Sequence, residues 1–250
     1  MADAAKDSEG APNPKRIVLS DRAAWLLLLI PVALFLWTGA RGIDFGEHWD
    51  EGFQVEIVQD AIANETLLPG WYNYPSTSFA LSIASLAPEL LSLDLSGIQT
   101  KNPRGIGESV GGLAPLQEQL LQATRDPGFL LRMRTVFLWV SALAILGVFL
   151  ASRATSGAWE ALFAAGLVAT SFELCYHARW VAPDALLAAF TALYLAALLR
   201  LASGKCNLVC LGLMAGLATG TKYTGGLLLL PLFLSWWHQA PPREIGRAHV

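Results

Sequence analysis

The segment RGIDFGEHWDEGF at residues 41–53 concentrates acidic side chains directly after an uncharged apolar run. Asp50 and Glu51 are adjacent in it, and His48 stands just before them. A carboxylate pair of this kind can act as a general base, bind a metal or hold a cationic group. Acids at the mouth of a membrane helix also form solvated collars that carry no chemistry. The segment alone leaves both interpretations open.

A second acid, Asp184, stands in HARWVAPDALLAAF at residues 177–190. A carboxylate at the start of an apolar helix favours the helix N-terminus, and capping is one interpretation. Acidic residues at membrane depth are energetically costly and usually functional, so the other interpretation is a functional site. His177 and Arg179 precede Asp184, and basic, aromatic and acidic side chains together could meet a phosphate and a sugar. For His177 a satisfied interfacial histidine is the simpler alternative.

Lys222, in GLATGTKYTGGLLLLP at residues 216–231, is the only charged residue between residues 206 and 237. Backbone amides of a glycine-rich turn beside a lysine suit an anion such as phosphate. Tyr223 follows directly and is a candidate substrate contact. The alternative is a turn lysine that reaches the lipid headgroups.

The segment WYNYPSTSF at residues 71–79 carries aromatic side chains typical of a membrane interface. It is interpreted either as part of an aromatic belt or as a wall for a sugar or an isoprenoid. In the second case Tyr74 is a candidate substrate contact.

The composition of the chain indicates which secondary structure positions these residues. Of the 250 residues 54% are hydrophobic and 15% are charged, whereas about a quarter are charged in soluble domains. This favours an all-α multi-pass membrane protein, a bundle of transmembrane helices with a large first extracytoplasmic loop. The net charge of -3, without a basic patch that alternates with aromatics, excludes nucleic acid as a partner.

Apolar runs predict where the helices lie. Four apolar runs are predicted to span the membrane: 23–40, 135–152, 157–176 and 183–201. The stretch 206–237 is predicted to form two short helices that meet at GTKYTGG. Gly212, Gly216 and Gly220 recur at helical spacing and predict a face for close helix packing.

The run at 76–93 either spans the membrane or lies in its interface. The interfacial alternative places Asp50 and Asp184 on the same outer side. It also leaves Arg153 and Arg200 in short cytoplasmic loops, as the positive-inside rule expects. The N-terminus is then cytoplasmic.

The domain interpretation follows from the same pattern. Residues 1–20 are predicted to be a disordered cytoplasmic segment, and 21–240 a truncated transmembrane domain. Residues 99–112 are predicted to be a flexible connector. Residues 244–250 are interpreted as a sequencing artefact.

Taken in order, these motifs resemble the C-type (GT-C), polyprenyl-phosphate-sugar-dependent glycosyltransferases. The nearest branches are the protein mannosyltransferase-like and aminoarabinose transferase-like proteins of glycosyltransferase family 39 type. The resemblance runs from Arg22 to Trp237. Its motifs are the Asp-Glu pair after the first span, the aromatic-Tyr-Pro segment, R-x-x-x-P-D at 179–184 and G-x-x-x-G-x-K-Y at 216–223.

The resemblance implies a sugar of hexose or pentose type on a polyprenyl phosphate and a lipid, glycan or protein acceptor. It implies an extracytoplasmic active site in a bacterial inner (plasma) membrane. Asp50 would be the base of an inverting transfer, Glu51 its partner and Asp184 a second acid that orients substrate or holds a divalent cation. The substrate-binding residues would be His48, Tyr74, His177, Arg179, Lys222 and Tyr223.

One departure and several alternatives accompany the resemblance. The aminoarabinose branch carries a lysine before its proline-rich interfacial segment, and WYNYPSTS has none.

A transporter or flippase would show repeat symmetry and charges near mid-membrane, and a non-catalytic membrane subunit would tolerate loss of Asp50, Asp184 and Lys222. A lipid phosphatase would need more arginines and histidines.

Overall fold

The computed structural model describes residues 19–239 except 47, 73, 93–113 and 202. These residues form helices and contain no strand, which confirms the all-α prediction. Of the disordered segment predicted at 1–20, residues 1–18 lie outside the described residues, as do the segments predicted at 99–112 and 244–250. The helices are α1 (Asp21–Ala40), α2 (Glu51–Ala63), α3 (Ser76–Ala84), α4 (Ala87–Ser92), α5 (Ala114–Arg125), α6 (Pro127–Ser141), α7 (Leu143–Thr155), α8 (Ala158–Ala169), α9 (Phe172–His177), α10 (Pro183–Leu201), α11 (Leu208–Thr221), a 3-10 helix (Tyr223–Leu228) and α12 (Leu229–Gln239).

Three helical stretches are long and apolar enough to cross a membrane by length and composition. They are α1, the nearly continuous pair α6 and α7, and α10. These stretches confirm the predicted spans at 23–40, 135–152 and 183–201. The α6–α7 stretch begins at Pro127, earlier than the sequence predicts. Arg134 therefore lies in a helix and not in a loop.

The prediction of one continuous helix at 157–176 is wrong. Helix α8 ends at Ala169, and the short α9 begins at Phe172. The Thr170 hydroxyl donates to the Gly166 carbonyl at 2.9 Å, and Ser171 has extended backbone angles. Serine and threonine compete for backbone hydrogen bonds in this way, so they favour helix ends over helix interiors.

The run at 76–93 forms α3, of nine residues, and α4, of six. At ~1.5 Å per residue α3 covers roughly 13 Å, less than half of a ~30 Å hydrocarbon core. Neither helix can cross a membrane. The interfacial alternative is therefore the one that fits these lengths.

The prediction of two short helices in 206–237 is confirmed. Helix α11 is followed by the extended residue Lys222, the 3-10 helix and α12. A Cβ at Gly225 would lie 2.3 Å from the Ala218 carbonyl oxygen, so glycine lets the 3-10 helix lie directly against α11.

The glycines of α11 do not form one packing face. A Cβ at Gly220 would lie 2.5 Å from Thr77 Oγ1 of α3. Nothing lies within 4 Å of the same position at Gly216, and a Cβ at Gly212 would make only an ordinary contact. Close approach is confined to Gly220, where α3 meets α11.

The centre of the bundle is the contact between α7 and α10. Gly147 allows it, since a Cβ there would lie 2.6 Å from the backbone of Ala192. Alanines such as Ala144 and Ala189 are buried around the contact. Helix α8 packs on α7 and on α1. This packing fixes the start of α10, which carries Asp184.

Candidate functional site

Asp184 and Lys222 form a salt bridge in which Lys222 Nζ donates to Asp184 Oδ1 at 2.7 Å. Asp184 lies in the first turn of α10, and Lys222 is the extended residue after α11. The side chains are 43% and 36% exposed, so solvent or a ligand can reach both. Asp184 therefore does more than favour a helix N-terminus, because it holds the lysine in place.

Asp50 lies beside this pair at the start of α2. It occupies the N-cap position, but its side chain makes no capping hydrogen bond and no described residue donates to it. Burial raises the pKa of the Asp50 carboxyl, the charge of His48 lowers it, and the charge of Asp184 raises it. The net pKa is above that of an ordinary aspartate. A half-exposed carboxylate with a raised pKa and a free lone pair is suited to accept a proton.

Tyr74 completes the cluster from the interfacial segment. Burial raises the pKa of its phenol, the charge of Asp50 raises it further, Lys222 lowers it, and Asp184 raises it. The same side chain is thus within electrostatic reach of all three charged residues. The structure brings Asp50, Tyr74, Asp184 and Lys222 together from four separate parts of the chain. We call these four residues the acid–lysine cluster.

Glu51 does not share this accessible position. It is fully buried, and its Oε1 accepts from the Val181 amide and from Arg134 Nε, both at 2.9 Å. Its Oε2 accepts from the His48 amide at 3.0 Å and from a second nitrogen of Arg134. These contacts join the first loop, α6 and the residues before α10 behind the acid–lysine cluster. A chemical role for Glu51 as the partner of Asp50 stays a prediction.

The sequence interpretation missed the importance of Arg134. Its guanidinium donates to the Ile43 carbonyl at 2.7 Å and to the Gly46 carbonyl, and it lies 4.2 Å from the centre of the Phe45 ring. The arginine is 2% exposed. The sequence does show Arg134 directly before an apolar run, in FLLRMRTVF, and this position could have indicated a buried arginine. Sequence reasoning treated it as a loop residue.

His48 and Arg179 lie together in a small aromatic pocket. The His48 ring stacks on Trp180 with centroids 3.6 Å apart, and Arg179 donates to the Arg41 carbonyl. The pocket has a volume of about 120 Å³ and is lined by Phe45, His48, Tyr176, Arg179 and Trp180. No contact joins Arg179 to Lys222 in the described part of the chain. The two predicted phosphate ligands therefore belong to different places.

Two other predicted substrate contacts have protein partners. His177 Nε2 lies 3.6 Å from a carboxylate oxygen of Glu173, one helical turn earlier. The Tyr223 hydroxyl donates to the Tyr72 carbonyl at 2.6 Å. Tyr223 therefore ties the turn that carries Lys222 to the aromatic segment that carries Tyr74.

A larger cavity of about 720 Å³ lies between the first loop, α2 and the α5–α6 junction. Asp44, Glu56, Asp126 and Arg134 are among its lining residues, and Asp50 is not. The buried Arg134–Glu51 pair separates this cavity from the acid–lysine cluster. Its exposed carboxylates Asp44, Glu56 and Asp126 and its exposed cation Arg125 lie apart from the Asp184–Lys222 pair, which does not line this cavity.

No group of three or more His, Cys, Asp or Glu residues able to hold a metal occurs among the described residues. Asp184 is the predicted ligand of a divalent cation, and it is paired with a lysine.

Comparison with known protein families gives a match over the second half of the chain. Residues 130–243 match the model of a family described as dolichyl-phosphate-mannose-protein mannosyltransferase. The matched segment covers a little less than half of the chain and contains Asp184 and Lys222, so this part of the chain is similar to that family. Comparisons with curated proteins and with solved structures give no significant match.

Proposed function

We propose that the protein transfers a sugar from a polyprenyl-phosphate donor to the hydroxyl group of an extracytoplasmic acceptor, with inversion at the anomeric carbon and Asp50 as the general base. The family match supports a donor of the polyprenyl-phosphate-sugar class. The observation that carries the proposal is the acid–lysine cluster. A carboxylate with no hydrogen-bond donor among the described residues lies there beside a cation held by a second carboxylate.

The transfer needs a base that takes the proton of the acceptor hydroxyl and a cation that stabilises the departing phosphate. The acceptor oxygen attacks the anomeric carbon, the bond from that carbon to the phosphate oxygen breaks, and the acceptor proton passes to Asp50. The raised pKa of Asp50 makes it a stronger base than an ordinary aspartate. An ordinary aspartate is already ionised at neutral pH, so Asp50 needs no lowering of its pKa to act as a base there.

Lys222 acts on the phosphate. Negative charge grows on the departing polyprenyl phosphate as the bond breaks, and an ammonium group fixed nearby stabilises that charge. The bond from Lys222 to Asp184 limits where the ammonium group can lie before the donor arrives. Asp184 is thus a positioning residue for Lys222, and Tyr74 forms a wall of the same space.

The acid–lysine cluster supports an orientation in which Asp50 and the start of α10 lie on the same side of the membrane, because the two carboxylates lie within electrostatic reach of each other and of Tyr74. The basic residues of the short loops support an orientation in which that side faces away from the cytoplasm. The donor lipid would then lie in the outer leaflet, in a bacterial plasma membrane, and the acceptor would be a lipid, glycan or protein exposed there.

The test compares the full-length protein with Asp50→Asn in proteoliposomes that contain radiolabelled polyprenyl-phosphate sugars. We expect transfer to be lost and donor binding to be kept, since asparagine fills the same space but takes no proton. Failure of both proteins to bind any donor would contradict the proposal and favour a transporter or a non-catalytic subunit. Equal transfer by both proteins would remove Asp50 as the base.

A further inference from the structure

Three cavities adjoin one another around α2, α4, α5 and α6. The first, of about 720 Å³, lies between the first loop, α2 and the α5–α6 junction. The second, of about 420 Å³, shares Glu56 with it and extends to Trp71. The third, of about 480 Å³, lies between α4, α5 and α6 and shares Arg125, Asp126 and Pro127 with the first. The second and third have no lining residue in common, so the three follow one another as an extended depression, which we call the α2 groove.

The lining of the α2 groove offers both hydrogen-bond acceptors and donors. The carboxylates of Asp44, Glu56 and Asp60 are exposed, and none of them has a side-chain hydrogen bond or ion pair among the described residues. Ionised carboxylates only accept, whereas the amides of Gln119 and Gln122 in the third cavity both donate and accept. A hydroxyl group also donates and accepts, so a ligand that carries many hydroxyl groups can pair with the whole lining.

The charges along the groove disfavour a strongly charged ligand. An anionic ligand would meet the unpaired carboxylates of the first two cavities. A cationic peptide would meet Arg125, which lines the first and third cavities and whose ion pair with Glu118 is long, at 3.7 Å. Arg132 in the third cavity is neutralised by Glu89 at 2.6 Å. Because like charges brought together are unfavourable, an uncharged ligand fits this lining best.

An aromatic surface lies at the end of the groove nearest the acid–lysine cluster. Trp71 lines the second cavity, is half-buried and packs edge-on against Phe53 with ring centroids 3.8 Å apart. It directly precedes Tyr72, whose carbonyl accepts from Tyr223, the neighbour of Lys222. The apolar face of a sugar ring can pack on such an aromatic side chain while its hydroxyl groups reach polar neighbours. The groove therefore leads away from the acid–lysine cluster along α2.

We propose that the α2 groove binds an uncharged oligosaccharide chain and that this chain is the acceptor of the transferred sugar. The inference rests on the proposed function for the role of the chain as acceptor, and it narrows a lipid, glycan or protein acceptor to a glycan. Each cavity has the size of a small-molecule site, for which ~300–1,000 Å³ is typical. Three such cavities in succession suit a chain of several sugars.

The test measures binding of neutral oligosaccharides to the full-length protein in nanodiscs of zwitterionic lipid, because detergents with sugar headgroups would compete. The probes are glucose, mannose, galactose and N-acetylglucosamine, each as the monosaccharide and as a linear hexamer. A lysine hexapeptide represents a cationic protein segment. We expect at least one hexamer to bind more tightly than its monosaccharide and more tightly than the peptide, since a chain can occupy successive cavities.

Two variants assign this binding to the groove. Gly52 lines the first cavity and a Cβ there meets nothing within 4 Å, so Gly52→Trp fills open space and should abolish hexamer binding. Glu56→Ala removes an acceptor shared by two cavities and should lower hexamer affinity about tenfold or more. The matched control is Gly216→Trp, at an exposed position of α11 that also has nothing within 4 Å, and it should bind as wild type does. Thermal unfolding reports whether each variant is folded.

Three results would overturn the inference. One is a set of hexamers that bind no more tightly than their monosaccharides. Another is hexamer binding that Gly52→Trp and Glu56→Ala leave unchanged in folded proteins. The third is tighter binding of the lysine hexapeptide that Gly52→Trp abolishes, which would make the groove a peptide site.

The readout uses neither donor nor sugar transfer, so it separates the groove from the proposed function. Donor binding by a protein that binds none of the hexamers would reject the glycan groove and keep the proposed function. Hexamer binding by a protein that binds no polyprenyl-phosphate sugar would reject the proposed function and keep the groove as a glycan site.

Discussion

Lys222 Nζ lies 2.7 Å from Asp184 Oδ1 and joins the first turn of α10 to the break between α11 and the 3-10 helix. Lys222 is the only charged residue in the sequence between residues 206 and 237, and Asp184 lies 38 positions before it in the chain. The pair fixes a cation at the bundle end where Asp50 lies. Both side chains remain partly exposed, so the bond leaves the lysine able to meet a ligand.

Replacing Lys222 with Met should weaken binding of the polyprenyl-phosphate donor by about tenfold or more, because a charged hydrogen bond to phosphate contributes ~1.5–3 kcal/mol. Lys222→Arg keeps the charge and should keep part of the affinity. Donor binding is measured by titration in proteoliposomes. Unchanged affinity in Lys222→Met would place the phosphate elsewhere.

The acidic limb of the pH–rate profile should move in opposite directions in two variants. Transfer requires ionised Asp50, so kcat/KM falls as the pH falls through the pKa of that residue. Asp184→Asn removes a negative charge that raises this pKa, and the limb should move to lower pH. His48→Gln removes the influence that lowers the pKa, and the limb should move to higher pH.

Burial, the largest cause of the raised pKa, is retained in both of these variants. The comparison therefore isolates the effects of the two charged neighbours. Limbs that coincide in wild type, Asp184→Asn and His48→Gln would show that a group other than Asp50 controls the rate.

Breaking the Glu51–Arg134 pair should strongly destabilise the fold. Glu51→Ala leaves the buried Arg134 charge without its partner, which typically costs ~3–5 kcal/mol in the free energy of unfolding. The matched control is Glu89→Ala, which breaks the more exposed pair with Arg132 and should cost about 1 kcal/mol or less. Denaturant unfolding in micelles measures both. A similar loss in the two variants would contradict the buried pair.

A methyl group at Gly220 should push α3 away from α11. In Gly220→Ala the new Cβ meets Thr77 Oγ1, whereas in Gly216→Ala it meets nothing within 4 Å. We expect Gly220→Ala to lower both the thermal stability and the donor affinity, since α3 follows Tyr74 and α11 precedes Lys222. Gly216→Ala should change neither.

The rescue variant for this contact is Gly220→Ala combined with Thr77→Ala. Removing the hydroxyl leaves neighbours no closer than ordinary contact distance, 3.7 Å or more. The double variant should therefore recover most of the stability lost in Gly220→Ala. Equal stability of Gly220→Ala and Gly216→Ala would contradict the close approach of α3 and α11.

Sequence alone determined the helical class, the spans at α1, α6–α7 and α10, and the break at Lys222. These features follow from local quantities, namely the length of an apolar run, the lack of charge within it and the glycines that interrupt it. The same local pattern picked out Asp50, Asp184 and Lys222, because charges in apolar surroundings are conspicuous. It failed at 157–176, since hydropathy does not register the competition of Thr170 and Ser171 for backbone hydrogen bonds.

Tertiary structure alone decided which of these residues meet. Asp50 and Glu51 are neighbours with nearly the same chemistry. The turn of α2 leaves Asp50 accessible beside Asp184 and buries Glu51 against Arg134, 83 positions away in the chain. The sequence predicts both Arg179 and Lys222 as substrate ligands, whereas the structure puts Arg179 in the aromatic pocket and Lys222 beside Asp184. Such choices depend on contacts between residues far apart in sequence, and no local pattern encodes these contacts because each becomes favourable only when the helices pack.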